Sequence, residues 1–195
     1  MKKSVFLLLC IITKTFTITL EDGKLAYDNQ DFKKAFKIYE ELASNGNANA
    51  QYALGMMHQN GDGVIQDYKN AVYWYEKAAI QGILEAQYML YYIYSFGSYG
   101  HVQEDKKKSM KWLIEAAENG HPEAQYSLGT RYESGFNIKQ DYTKASEWLK
   151  KAANQGLKEA QFELELLYNK DEYSRDATRK SFESNEKVAN QGDKK

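Results

Sequence analysis

The chain has 195 residues, with 26 Lys and Arg against 27 Asp and Glu, one proline, one cysteine and sixteen tyrosines. A net charge of −1 gives no electrostatic reason to expect a nucleic-acid partner. One cysteine excludes an internal disulfide framework and a cysteine-rich metal site, while 43% hydrophobic residues are enough for a core.

The first segment stands apart. Lys2 and Lys3 precede an apolar run from Val5 to Ile12, and Lys14 closes it. A basic n-region before a short apolar h-region marks a secretory signal, whereas a membrane span needs about 20 apolar residues. The pattern predicts a signal peptide over 1–19, an exported chain, and no stable membrane span once the leader is gone. Thr15, Thr17 and Thr19 stand where a small-residue cleavage site is needed, without an Ala-x-Ala. The alternative is a retained N-terminal arm or anchor, and then a cytoplasmic chain. Cleavage would remove Cys10 and leave no thiol for catalysis or oxidation.

The remainder repeats. Gly46, Gly82, Gly120, Gly156 and Gly192 are separated by 36, 38, 36 and 36 residues. The dipeptides Ala50-Gln51, Ala86-Gln87, Ala124-Gln125 and Ala160-Gln161 keep that spacing, as do Trp74, Trp112 and Trp148. Three markers in one phase define a repeat array. It divides into a partial helix pair over 20–46, repeats over 47–82, 83–120 and 121–156, and a degenerate cap over 157–195. The second repeat carries a two-residue insertion.

Each unit is predicted to be two helices. The first begins near Ala50-Gln51-Tyr52-Ala53-Leu54-Gly55, and His58, Tyr94, Tyr132 and Tyr168 fall four residues beyond the leucine register. Offsets of three and four describe one buried helical stripe. A glycine-bearing loop follows. The second helix opens on Asp67, Asp105 or Asp141, whose carboxylates suit free N–H groups and the positive helix end. Ala71, Ser109 and Ala145 lie three residues before each Trp, small enough for close helix approach. The helix closes on Ala-Ala, and the periodic glycine is predicted to cap it. In the partial first unit Ile38 stands at the Trp position; in the last, Ser184 does. Eight of the sixteen tyrosines fall on phased positions and are predicted to pack.

These residues resemble the Sel-1-like repeat, a relative of the tetratricopeptide repeat, over about residues 21–192. The resemblance rests on the Ala-Gln-x-x-Leu-Gly stretch, the Gly-x-Gly loop, Asp-x-x-Lys-Ala-x-x-Trp and the closing Ala-Ala-x-x-Gly. It implies an all-α fold: an α-solenoid of stacked antiparallel helix pairs in a right-handed superhelix, with a period of about 36 residues. It also implies an adaptor in protein complexes, with exported members acting at the cell envelope or on a host. Tyr91 and Glu165 replace the packing glycine held by Gly55 and Gly129, which makes helix packing in those two units the point to check.

Signs of chemistry are sparse. His58, His101 and His121 lie at no metal-ligand spacing. His58 takes a tyrosine slot and is predicted to pack, while His101 and His121 are predicted to be solvated. No phosphate loop, nucleophile elbow or paired carboxylate is visible, so no catalytic residue, metal or cofactor is assigned. Recognition of a protein or peptide is the favoured reading. First helices line the concave side of such an array. The variable positions there are Ala53, Met56, Met57, Met89, Tyr92 and Ile93, with Phe96 one turn on. Ser127, Thr130 and Arg131 follow in the third unit. An apolar, Met- and aromatic-rich patch passing into a polar one can hold a peptide. The competing reading packs the same side chains between units. A second function class is a regulatory or catalytic subunit of a cell-envelope hydrolase.

Overall fold

The structure is a computed structural model that describes residues 18–97 and 102–169. Residues 1–17 of the predicted leader, with Cys10, then His101 and the C-terminal end from residue 170, with Ser184 and Gly192, lie outside the described residues; Ile18 and Thr19, the last two residues of the predicted leader, are described.

Regular structure among the described residues is helical. In chain order the helices are α1 (Leu20–Asp28), α2 (Phe32–Ser44), α3 (Ala48–Asn60), α4 (Tyr68–Ile80), α5 (Leu84–Phe96), α6 (Lys106–Glu118), α7 (Pro122–Ser134) and α8 (Tyr142–Asn154). A further helix, α9, runs over 158–169. They pair as α1 with α2, α3 with α4, α5 with α6 and α7 with α8, and each pair packs on the next through α2–α3, α4–α5 and α6–α7. The result is a stack of helix pairs.

Local sequence sets the helix starts. Asp67 accepts from the backbone N–H groups of Lys69 and Asn70, Asp105 from Lys107 and Lys108, and Asp141 from Lys144. Each satisfies donors that the first turn leaves free. Thr19 and Asp22 form a reciprocal capping box at α1. At the other end the periodic glycine lies one residue beyond the predicted place. The caps are Asn45, Gln81, Asn119 and Gln155, and the glycine follows in the left-handed region, as at Gly82 with φ +90°. Glycine adopts that φ without the steric cost of a Cβ.

Two glycines act through closeness instead. A Cβ on Gly55 would lie 2.5 Å from the Tyr75 ring, and one on Gly129 would lie 2.8 Å from Leu149 Cγ. Their absence lets the helices of a pair meet. In the second unit Tyr91 holds this register, yet α5 and α6 still pair; its ring lies against Tyr88 at 5.4 Å and beneath Arg131 of α7.

Tyr75, Leu90, Leu113 and Leu128 are fully buried in the central core, where each large side chain contributes roughly 1.5–3 kcal/mol. Smaller clusters lie under α1–α3 and under α7–α9. Trp112 is buried, but Trp74 and Trp148 are only half-buried, with Lys77 and Lys151 over their rings. Tyr142 and Tyr168 are exposed, so not every phased tyrosine packs.

The recurring glutamine explains itself in space. Gln51, Gln87, Gln125 and Gln161 donate to the carbonyls of Ala43, Ala79, Ala117 and Ala153, at the end of the preceding second helix. Gln51, Gln87 and Gln125 also accept from Gln81, Asn119 and Gln155, the caps of their own second helices. One amide thereby ties two neighbouring units and gives each of these carbonyls a second donor beside the N–H of the periodic glycine.

Candidate interaction face on the first helices

The predicted contact residues separate into three groups. Ala53, Met57 and Ile93 are buried in the core and offer no surface, so for them the packing reading holds. Their registers, two and six beyond the glutamine, fall at the edges of the buried arc at about 100° per residue. Met56 and Met89 are half-buried against the central core. Tyr92 and Phe96 are 54% and 63% exposed, one turn apart on α5, with ring centroids 4.8 Å apart. That pair can receive an apolar side chain, since exposed aromatics provide area at little entropic cost. Arg131 is half-buried, as are Ser127 and Thr130.

Beside Tyr92 runs a row of stacked groups from α5 to α7. His121 stacks on Tyr88 with centroids 4.5 Å apart, and Tyr88 tilts against Tyr91 at 5.4 Å. Arg131 lies over the Tyr91 ring at 5.3 Å and over the Phe136 ring at 5.2 Å, and one guanidinium nitrogen donates to the Tyr91 hydroxyl at 3.3 Å. Phe136, in the loop after α7, is exposed. The sequence reading missed it because it lies outside the periodic helical registers. Its signal was a large apolar residue directly after the loop glycine, Gly135.

His121 is not solvated as predicted. It is buried at the start of α7, and its Nδ1 accepts from the Ala124 N–H at 3.4 Å. Burial holds its pKa below the ordinary histidine value, although Glu123 and Glu85 pull upward. Burial also raises the Tyr88 hydroxyl above the ordinary tyrosine value. His58 does pack as predicted: it is buried edge-on to Phe36 at 5.5 Å, and its Nδ1 has no hydrogen-bond partner among the described residues. Among those residues there is no group of three or more potential metal ligands, and no helix is long and apolar enough to cross a membrane.

A stack of helix pairs held by a repeated amide ladder, with variable side chains on its first helices, defines a helical-repeat scaffold. The sequence model of the Sel1 repeat matches residues 20–47, 48–83, 84–121 and 122–157, and the chain belongs to the Sel1 repeat family. Such repeats are typically protein-interaction scaffolds, generally non-catalytic. No curated protein sequence matches the chain. Among solved structures it is similar to a Sel1 repeat protein from Oxalobacter formigenes, at 27% identity and a TM-score of 0.73, covering 77% of this chain and 61% of that one. It is also similar to c5321, a protective antigen of uropathogenic Escherichia coli strains with an SLR fold. There the identity is 34% and the TM-score 0.67, covering 78% of this chain and 37% of that one. The chain thus spans less than two thirds of either relative.

Proposed function

We propose that this protein is an exported, non-enzymatic scaffold that docks a protein or peptide partner on the first-helix face of α5 and α7. The observation that supports the face is the exposed, mutually stacked pair Tyr92 and Phe96 beside the Tyr91–Arg131–Phe136 cluster. Export is supported by Lys2, Lys3 and the short apolar run after them. Exposed aromatic clusters rimmed by polar groups are common where proteins meet.

The test is affinity capture from the native compartment with wild type and with Tyr92→Asp/Phe96→Asp, both checked for helicity by circular dichroism. Loss of the captured partner with helicity intact is the expected result. Equal capture by both proteins rejects this face. Mass spectrometry of the N-terminus reports separately on export: an intact Met1 in envelope or medium fractions contradicts cleavage.

A further inference from the structure

Two departures from the repeat pattern meet in space. The register six beyond the glutamine holds Met57, Ile93, Arg131 and Leu167 in successive units. The three apolar members are 0%, 5% and 4% exposed, so this is a core register. A permanent cation there breaks the rule that the other units keep. The residue it touches, Tyr91, also breaks a rule by standing where Gly55 and Gly129 stand. Sites where local preference yields without evident structural gain are candidates for function.

The surroundings of Arg131 say which chemistry would match it. A guanidinium carries five N–H donors, and among the described residues a single hydrogen bond, to the Tyr91 hydroxyl, uses them. No described carboxylate forms an ion pair with it; Asp141 lies beside Lys144, and Glu123 beside His121. The carbonyl end of α7 offsets part of the charge, on the order of half a unit. The other cations lying over rings, Lys77, Lys108, Lys111, Lys144 and Lys151, are all exposed lysines of second helices. Arg131 alone among them is half-buried on a first helix, and the Tyr91 it touches precedes the exposed Tyr92 in α5. A half-buried guanidinium held near two rings, with most of its donors unused by described residues, can bind a carboxylate through paired, charge-assisted hydrogen bonds.

We propose that Arg131 reads a carboxylate on the docked partner, and that the partner segment carries an acidic side chain beside an apolar or aromatic one. This rests on the docking face argued above. Tyr92 and Phe96 receive the apolar side chain, and the Tyr91 and Phe136 rings hold the guanidinium ready for the acid. The partner is a protein segment, because the apolar and acidic groups must arrive together.

The test uses short fluorescein-labelled peptides of three compositions: Glu with Phe and Leu, Lys with Phe and Leu, and Glu with Ser. Fluorescence anisotropy is read at low and high salt. The acidic–apolar peptide is expected to bind tightest and to weaken with salt. Arg131→Gln should lower that affinity by roughly tenfold, the scale of one charge-assisted pair, and leave the Lys peptide unaffected. Arg131→Met, which restores the residue type of the register, should lose the same affinity while keeping or raising the urea midpoint. A lower midpoint would make Arg131 a structural residue and overturn the proposal, as would unchanged binding in Arg131→Gln. If both apolar peptides bind alike and Tyr92→Ser removes them, the docking face stands and the acidic reading falls. If no peptide binds, both fall.

Discussion

Gly55 meets the face of Tyr75 so closely that an added Cβ would sit 2.5 Å from ring carbons of a side chain that is itself 0% exposed. The ring has nowhere to go in a close-packed interior. Gly55→Ala is therefore expected to cost about 1–3 kcal/mol, as overpacking does. Urea denaturation checks it; an unchanged midpoint would mean that the α3–α4 contact is looser than described. The sequence revealed this packing glycine through its recurrence. It could flag Tyr91 as a departure, but not what Tyr91 does, because its partner Arg131 lies forty residues away in the next unit.

Two buried histidines set a pH dependence. Burial lowers the pKa of both His58 and His121, while Asp67 and Glu40 near the first, and Glu123 and Glu85 near the second, oppose it more weakly. The folded state then binds fewer protons than the unfolded chain below the ordinary histidine pKa of about 6.5. Stability should fall as pH drops through that value. His58→Tyr, which installs the side chain found at Tyr94 and Tyr132, should flatten the dependence. Urea midpoints at neutral and mildly acidic pH test it, and equal slopes for wild type and variant would contradict it.

At the scale of the element, the amide ladder does what propensity does not. The sequence showed that glutamine recurs but not why, since its partners include backbone carbonyls that any residue could supply. Gln87 is 1% exposed and bridges Ala79 and Asn119. Gln87→Leu removes both hydrogen bonds, each worth about 0.5–1.5 kcal/mol, and is expected to cost about 1–3 kcal/mol. Gln161 holds one exposed bond of 3.4 Å, and Gln161→Leu should cost under about 0.5 kcal/mol. Thermal melts of the two variants measure the difference; equal shifts would remove the ladder from the account. The same helical geometry explains which contact candidates survived. On α5, offsets five and nine, held by Tyr92 and Phe96, are exposed, whereas offsets two and six are buried or half-buried across the units.

Across the whole molecule, each helix packs chiefly on its neighbours in the chain, so stability is close to a sum of unit and interface terms. Conserving that stack leaves the first-helix surface free to vary, and repeat arrays use such surfaces for recognition. The fold was legible because three markers shared one period. The site was legible only in part: Tyr92 and Phe96 could be named, whereas Phe136 and the Tyr91–Arg131 contact arise from loops and from separate units.

The central claim is that the partner sits on this face. Site-specific photo-cross-linking in the native compartment tests it most directly, with a benzophenone amino acid placed at Tyr92, at Phe96, or at the exposed Lys150 of α8. The account predicts one shared adduct from positions 92 and 96 and none of that mass from 150. Adducts from all three positions alike, or from 150 alone, would contradict it.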